Sequence, residues 1–547
     1  MMPTITASYR DLCGLLGRHI EPRALERALL MMGIETEITG DELRLEVAHN
    51  RSDLLSVEGI ARALSGFLGI RRGLPSHRLR DSDIVVEVDA STGEVRPFVV
   101  GGVVEGVRFT DASIVQMMQV QDKLHETLGR NRRKVAIGIH DLDRVRPPFR
   151  YTTVAPDGIR FVPLNMDREL TPAQILREHP KGIEYGHLLR DFGRYPLIID
   201  SQNEVLSMPP IINGQLTQVT ADTHRLFIDV TGTDEPAVNQ VLRILMTGFA
   251  ERRSKLRSVD VRYPKRRVRT PDLRPRRYRL SVEHVNGLIG IDLKPKQVSA
   301  IARRMRYGVA GIKGDSLTLL APPYRIDLMH EVDLIEDIAI GYGYDKLEPT
   351  LPTVVTMGEG HPLERISDRA RRVLTGLGFI EAMTYTLTNP KTNFELMRTR
   401  GEAAEITNPV SEEYTIVRTS LLPCLLGVLR TNRRRELPQR VFEVGDVVLL
   451  DAGAETGARN ARRVAAAMIG PEAGFTNIKA VAEALLRELG ITYEVRATEH
   501  PSFLEGRAAE FIVNGKRLGI VGELHPEVIL GFELGYPVAA FELDLPS

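Results

Sequence analysis

No single hydrophobic core can enclose this chain. Cores stop growing at roughly 250–300 residues, beyond which a chain splits. At 547 residues the sequence must divide, and ordinary domain sizes set about three to five units. The sharpest change of pattern runs from Arg252 to Arg279. It holds Arg252, Arg253, Lys255, Arg257, Arg262, Lys265, Arg266, Arg267, Arg269, Arg274, Arg276, Arg277 and Arg279 against only Asp260 and Asp272. Pro264, Pro271 and Pro275 interrupt it, so it reads as a connector between domains. A second break is "EPTLPT", with Pro349 and Pro352. A third is "DIVVEVD", where strict alternation begins a new unit. The expected modules are 1–85, 86–255, 256–350 and 351–547.

Periodicity gives the content of each. In the first, Tyr9, Leu12, Leu15 and Leu16 fall at helical spacing. Pro22 and Gly33 bracket a second helix. An alternating strand and a further helix follow, with Asp53 expected as its N-cap. The second module mixes strands such as "RPFVVGGVVEGV" and "HRLFIDVTGTDE" with helices. Its turn residues Pro209, Pro210, Asn213 and Gly214 suggest loops meeting at a pocket. The third reads helix, helix, short strands, helix. The last opens on a long helix and contains Asn514-Gly515, the strongest short hairpin signal. The fold class expected is multidomain α+β.

Composition excludes several roles. Lys plus Arg (72) equals Asp plus Glu (72), so a nucleic acid would have to be held by local patches rather than a global field. Aromatics are 5%, with no Trp, which argues against a stacking platform for single strands. It leaves open folded RNA gripped by backbone and shape. Cys13 and Cys424 are the only cysteines; this excludes a Cys-based zinc site and suggests a reducing compartment. No apolar run approaches the roughly 20 residues that span a bilayer. The opening "MMPTITASYRDLCGLLG" has neither a basic, then apolar leader nor a transit-peptide composition. A cytoplasmic protein is expected.

The stretch "DLMHEVDLIED" crowds Asp327, Glu331, Asp333, Glu336 and Asp337 together. Asp327 sits where an N-cap is expected. Asp333, Glu336 and Asp337 share one helical face, and Val332, Ile335, Ala339 and Tyr342 are expected on the buried one. Acids at a helix start complement its dipole, and charge runs are usually solvated. Clustered carboxylates also suit a hard cation such as Mg²⁺, which takes oxygen ligands and keeps waters. Spacing alone leaves both readings open.

"APPYRIDLMHEVDLIEDIAIGYGYDKL" resembles the fifth structural module of the phenylalanyl-tRNA synthetase beta subunit family. "HNRSDLLSVEGIARALSGFLG" resembles the family's N-terminal segment, although Pro is usual where Ser52 stands. "SMPPIING" and "LFIDVTGTD" resemble its amino-acid editing module. "ITNPVSEEYTIVRTSLLPCLLGVLRTNRRRELPQRVFEVGDVV" and "HPSFLEGRAAEFIVNGKRLGIVGELHPEV" resemble its C-terminal half. The likeness spans nearly the whole chain and is closest to the archaeal/eukaryotic type. An N-terminal oligonucleotide-binding insertion and a C-terminal anticodon-binding extension are not expected.

The resemblance implies a subunit of a heterotetramer of two alpha and two beta chains that joins phenylalanine to tRNA(Phe) using ATP. Adenylate chemistry would sit on the alpha subunit; this chain would support it, bind tRNA and hydrolyse mischarged Tyr-tRNA(Phe). A non-catalytic tRNA-binding scaffold is the alternative. In the family's pattern Asp327, Asp333, Glu336 and Asp337 would hold Mg²⁺, and Glu331 would be a solvated acid. Module 86–255 would be the editing module, and 256–350 a small helical, winged-helix-like module. Module 351–547 would be a class II synthetase-like antiparallel domain. Arg440 and Glu443 resemble the second class II motif, but the third, ending in an ATP-clamping Arg, is missing, so this domain would be catalytically silent.

Editing candidates are Gln121, Arg133, Glu204, Asn213, Asp229 and Asp234. Glu204 or Asp234 would read the phenolic hydroxyl; Asn213 and the Thr231–Thr233 turn would hold the water. His125 is expected on a helix surface. The arginine-rich connector would contact tRNA phosphates or the alpha subunit.

Overall fold

A computed structural model describes residues 2–351 and 356–546. Pro352, the second proline of "EPTLPT", lies outside them. Two compact units divide at that boundary segment, Met1–Thr350 and Leu351–Ser547.

The first unit opens with a three-stranded antiparallel sheet of β1 (Thr4–Ser8), β2 (Glu35–Thr39) and β3 (Glu42–Glu46), with β3 in the middle. Helices α1 (Tyr9–Leu16), α2 (Pro22–Met31) and α3 (Val57–Phe67) pack beside it. The Ser8 side chain accepts from Asp11 N, which satisfies one of the first turn's orphan donors. Asp53 does not cap α3. It lies in a 3-10 turn, Ser52–Leu54, and Ser56 takes the cap by accepting from Gly59 N.

A large mixed sheet follows. Its strands are β4 (Leu79–Arg80), β5 (Val85–Val88), β6 (Phe98–Glu105), β7 (Val135–Asp141), β8 (Phe149–Val154), β9 (Tyr195–Ile199), β10 (Val205–Met208), β11 (Ile212–Asn213), β12 (Arg225–Gly232), β13 (Lys255–Tyr263) and β14 (Arg266–Thr270). The main path is β11-β10-β9-β8-β5-β13-β6-β12-β7, with β4 and β14 both on β13. Strands β6 and β12, and β7 at the end of the path, are almost wholly buried. This explains their near-continuous Val and Ile runs, since a strand covered on both faces need not alternate. Helix α4 (Asp111–Glu126) is fixed by a Thr110–Ser113 capping box. Short helices α5 (Pro172–Glu178) and α6 (Pro180–Tyr185) precede β9, and α7 (Glu235–Glu251) follows β12.

The arginine-rich segment is no free connector. Residues 255–263 and 266–270 are β13 and β14, paired in register from Val259↔Thr270 to Tyr263↔Arg266. In β14 the exposed Arg267 and Arg269 flank the half-buried Val268, while β13 is buried on both faces from Ser258 to Val261 and only its ends are exposed or half-buried. The charge count masked two strands rich in β-branched residues.

Strand β15 (Arg276–Ser281) joins β16 (Gly308–Lys313) and β17 (Ser316–Ala321) in a second three-stranded sheet. Helices α8 (Val282–Ile289), α9 (Pro295–Arg304) and α10 (Glu331–Tyr342) bury one core with it. Helix α10 begins later than expected: His330 is its N-cap, not Asp327. Ile335 and Ala339 are buried, but Val332 is exposed.

The second unit is built on a sheet ordered β18-β21-β22-β26-β25-β24-β23. Helix α11 (Pro362–Gly376) leads into β18 (Ile380–Glu381), and β19 (Leu387–Thr388) pairs with β20 (Ile416–Val417). Then come α12 (Leu422–Thr431), β21 (Gln439–Leu450), β22 (Ala458–Ile469), α13 (Phe475–Glu488), β23 (Glu494–Ala497), β24 (Phe503–Val513), β25 (Lys516–Leu524), α14 (Pro526–Gly531) and β26 (Val538–Asp544). All neighbours in the seven-stranded sheet are antiparallel except β18 with β21. Asn514 and Gly515 make the β24–β25 turn with φ of 51° and 76°, the left-handed pair a two-residue hairpin requires.

Candidate active site

In the first unit a cavity of about 360 Å³ lies between α4, β7, β12 and the β10–β11 turn. The antiparallel register sets Asp229 opposite Gly138 and Phe227 opposite His140. Directly opposed residues share a face, so Asp229 and His140 come together across the diagonal. His140 Nε2 is 2.7 Å from Asp229 Oδ2, and His140 Nδ1 is 2.8 Å from Thr217 Oγ1. With the carboxylate ionised, Nε2–H donates to Asp229 and Nδ1 accepts from the Thr217 hydroxyl. Glycine at 138 makes room: a Cβ there would lie 2.1 Å from Asp229 Oδ2 and 2.6 Å from His140 Nε2.

Behind this group lies Arg96, fully buried. Its Nε donates to Thr231 Oγ1 (3.0 Å) and its Nη2 to Thr231 O (2.8 Å). Burial pulls its pKa down to about 10, opposed by Tyr151 and Asp229. Thr231 is thus a strand residue with its hydroxyl engaged, not part of a water-holding turn.

His125 corrects the expectation of a surface residue: it is 4% exposed and lines the cavity. Helix α4 lies over β7, so a histidine in its last turn meets the sheet. Its Nε2 accepts from Ile137 N at 2.8 Å. Burial, then the charges of Arg132, Arg96 and Lys181, push its pKa well below the ordinary value, so the ring is neutral and its proton sits on Nδ1. Among the described residues that Nδ1 has no hydrogen-bond partner, and neither do Ser207 Oγ and Arg132 Nε; all three residues line the cavity. Unsatisfied buried donors are costly, and three around one void mark it as built for a polar occupant.

The sequence candidates divide. Gln121, Asn213 and Asp229 line the cavity. Gln121 Nε2 donates to Ile137 O at 2.9 Å and Asn213 Nδ2 to Ile139 O at 3.4 Å, which leaves both side-chain carbonyls as acceptors. Arg133, Glu204 and Asp234 are not brought there. Arg133 and Glu204 are exposed. Asp234 caps α7 by accepting from Ala237 N at 2.8 Å and meets Lys134 at 3.2 Å. His140, Thr217 and Ser207 were missed; the only sequence signal for His140 was a polar residue inside the apolar strand "VAIGIHD".

The four acids expected to hold Mg²⁺ do not converge as a cage. Arg325, two residues upstream, takes the place of a cation. Its Nη2 is 2.7 Å from Asp327 Oδ2 and its Nη1 is 2.6 Å from Asp337 Oδ2. The Tyr307 hydroxyl also donates to Asp337. Burial opposes the guanidinium charge, but Asp337, Tyr307 and Asp327 more than offset it and hold its pKa well above normal. Asp333 accepts from Met329 N (2.6 Å) and His330 N (2.7 Å), and Glu336 is exposed. Glu331, expected to be solvated, accepts from Ser281 N and meets His284. Among the described residues no group of three or more His, Cys, Asp or Glu is placed to hold a metal ion. The donor set as placed therefore does not fit Mg²⁺.

In the second unit, Arg440 and Glu443 do not act together. Three apart on β21, they point to opposite faces. Glu443 is buried and accepts from Arg418 Nη1 (2.7 Å) and Thr384 Oγ1 (2.6 Å). Among the described residues no helix is long and apolar enough to cross a membrane.

Comparison with known proteins agrees along the chain. The B3/4 domain family matches residues 112–262, which contain the cavity. The tRNA synthetase B5 domain family matches 278–344, and the phenylalanyl tRNA synthetase beta chain CLM domain family matches 347–545. Two of these descriptions set the class, a subunit of an aminoacyl-tRNA synthetase. The phenylalanine–tRNA ligase beta subunit of Methanothrix thermoacetophila is 45% identical over 547 residues, covering 100% of both chains. That of Archaeoglobus fulgidus is 44% identical over 551 residues, 100% of this chain and 98% of its own. A crystal structure of an N-terminal fragment of the Pyrococcus horikoshii phenylalanyl-tRNA synthetase beta subunit is 39% identical. It superposes with TM-score 0.60, covering 62% of this chain and 99% of the fragment. The chain belongs to the phenylalanine–tRNA ligase beta subunit family.

Proposed function

We propose that the cavity beside Asp229 is a proofreading site that hydrolyses the ester of Tyr-tRNA(Phe), on a chain that supports phenylalanine attachment by an alpha subunit. The observation that carries the reading is the set of unpartnered groups around the void, His125 Nδ1–H and Ser207 Oγ, facing a carboxylate oriented by His140. Asp229 accepts the phenolic O–H of tyrosine. A phenylalanine ring in the same place leaves that buried carboxylate without its partner, so discrimination favours tyrosine. His125 Nδ1–H donates to the ester carbonyl as charge develops on it. The free carbonyl oxygens of Gln121 and Asn213 accept from the attacking water.

Deacylation of Tyr-tRNA(Phe) tests this. Asp229→Asn is expected to slow it by about 10²-fold or more, the scale of one catalytic or recognition group. An unchanged rate overturns the assignment and leaves the non-catalytic scaffold.

Synthesis belongs to the complex. ATP and Mg²⁺ are reagents of the ligation step, and we assign both to the alpha subunit, because Arg325 and Arg418 already neutralise Asp327, Asp337 and Glu443, Asp333 is taken up by backbone amides, and Glu336 alone of these acids is left free among the described residues. The class II-like unit then serves as a catalytically silent docking body. Ile380, Met383, Tyr385 and Val410 on it are 72%, 96%, 75% and 104% exposed, an apolar load that suits a permanent partner. Co-purification with a second chain of different mass, in a two-plus-two assembly in the cytoplasm, is the expected outcome. The arginine-rich strands are weaker candidates for tRNA contact than their composition suggests. Arg257, Arg266, Arg267, Arg269 and Arg274 already face Glu105, Glu235, Asp260, Asp81 and Asp272.

A further inference from the structure

A larger cavity, about 710 Å³, opens in the first unit between α1, α4, the end of α7 and the turn after β6. Its size is that of a small-molecule site. Its floor is apolar, with Leu15, Met117, Val120 and Phe249. Arg71, Arg108 and Arg253 line it, and among the described residues none of the three has a carboxylate partner. The two acids on the wall are already engaged: Glu58 with Arg252, and Glu251 3.8 Å from Arg62 and 3.9 Å from His77.

Two features of the backbone run against ordinary preference on the cavity wall, though neither is confined to it: Arg306 past α9 also has positive φ, and Gly287 in α8 also has open space for a Cβ. Gly14 in α1 and Gly248 in α7 line the cavity, and a Cβ at either would meet nothing within 4 Å. Both are helical positions where alanine would be favoured and would fit, so glycine keeps space open rather than relieving a clash. Arg253, just past the end of α7, has φ of 64°. That left-handed position after a helix is where glycine is favoured, yet an arginine is kept there, on the cavity wall. At the cavity the two glycines leave its walls clear of side chains, and the turn after α7 places the exposed Arg253 on its rim.

We propose that this cavity binds a nucleotide, with the phosphate on Arg71, Arg108 and Arg253 and the planar base on Met117 and Phe249. Several unpaired guanidiniums suit a doubly charged phosphate, which arginine meets bidentately, better than a single carboxylate. The thioether and aromatic side chains of the floor suit a ring, the one by its polarisable sulfur and the other by stacking. The nucleotide is either free or the end of a strand; both present the same group.

Equilibrium dialysis of AMP against the full chain, and against any subunit complex it purifies in, tests the proposal by the difference between parent and variants. Arg253→Gly is expected to weaken AMP by about tenfold, a change of one unit in log Kd, without lowering the melting temperature, since it relaxes the turn. Gly248→Ala should raise the melting temperature, and Gly248→Leu should abolish AMP binding while the melt stays cooperative. Inorganic phosphate, lacking a body for the floor, should bind more weakly than AMP. A trinucleotide ending in adenosine that displaces AMP assigns the ligand to a strand; one that does not assigns it to the free nucleotide. AMP binding that is absent, or equal in parent, Arg253→Gly and Gly248→Leu, overturns the proposal. Arg253 is exposed, so its variant remains informative even where Gly248→Leu fails to fold.

Discussion

Gly138→Ala puts the arrangement of the Asp229 pocket under direct strain. The added methyl would lie 2.1 Å from Asp229 Oδ2 and 2.6 Å from His140 Nε2, well inside van der Waals contact. β12 cannot yield easily, because it is hydrogen-bonded to β6 on one side and β7 on the other; β7 ends the sheet but is held to β12 along its whole length. The side chains must part, and the 2.7 Å bond between His140 and Asp229 is lost. A hydrogen bond to a charged group contributes about 1.5–3 kcal/mol. Leaving a buried charge without its partner costs about 3–5 kcal/mol. The expected loss of stability is therefore about 3–5 kcal/mol. It is to be read as a lower denaturation midpoint at constant slope. Should Asp229 instead turn outward, stability is spared and Tyr-tRNA(Phe) deacylation falls, about tenfold for each 1.4 kcal/mol of lost positioning. Gly93→Ala is the control, since a Cβ there meets nothing within 4 Å. A Gly138→Ala chain within about 0.5 kcal/mol of the parent, deacylating at the parent rate, refutes the geometry.

Other outcomes follow from the buried charges. Arg325→Met strands Asp327 and Asp337 and is expected to cost about 3–5 kcal/mol in denaturant unfolding; a loss under about 1 kcal/mol would mean that the pairs are idle. Because Arg325 holds those acids, neither Mg²⁺ nor a chelator should move the melting temperature of the chain by itself, whereas a metal bound only to the folded state would raise it. His125 has a folded pKa depressed by burial, so above about 6.5 it is neutral folded or unfolded and neither adds nor removes stability. As pH falls below that, the unfolded chain takes up the proton first, and stability drops until the folded value is reached. Replacing His125 with Asn should flatten the slope of stability against pH in that window; an unchanged slope would place the proton uptake elsewhere. Glu443→Gln, which weakens the buried pair with Arg418, should lower the stability of the second unit while leaving ATP-dependent charging by the complex otherwise intact.

The sequence was most legible where one physical signal dominated. Hairpin chemistry at Asn514-Gly515, the paired helices after Arg279 and the buried strands around Asp229 each followed from periodicity or turn preference. The arginine-rich segment looks like a connector by its charge; the β-branched Val259, Val261 and Val268 carry the strand signal. Helix starts were misplaced where several polar residues competed for the cap. Asp53 lost to Ser56, and Asp327 lost to His330, because each aspartate was already committed to an arginine two residues away. The pocket was legible only by half. Asp229, Asn213 and Gln121 come from polar residues within or beside apolar runs. Asp234 and Glu204 looked equivalent in sequence, but they point to a helix cap and to solvent. His125 was misassigned because a helix's buried face can be recognised only once the sheet beneath it is known.

The crowded acids of "DLMHEVDLIED" illustrate the larger point. Carboxylates close together need a cation, and a search for one naturally looks outside the chain. Here the neutralising charge is two residues upstream, in the same "YRID" stretch. Arg325 meets Asp327 and Asp337, and Asp333 satisfies the orphan amides at the start of α10 instead. The network does not end there. Arg51 is paired bidentately with Asp53 at 2.9 Å for both bonds, and the charges of Arg325 and Asp327 both act on it. The N-terminal "HNRSD" and the later "YRID", about 275 residues apart by their numbering, are thus two ends of one buried ionic cluster. Each end alone buries charge at a cost that only close, hydrogen-bonded partners offset. A substitution at Arg51 should therefore be felt at Asp327, and a double-mutant cycle between Arg51 and Arg325 should depart from additivity.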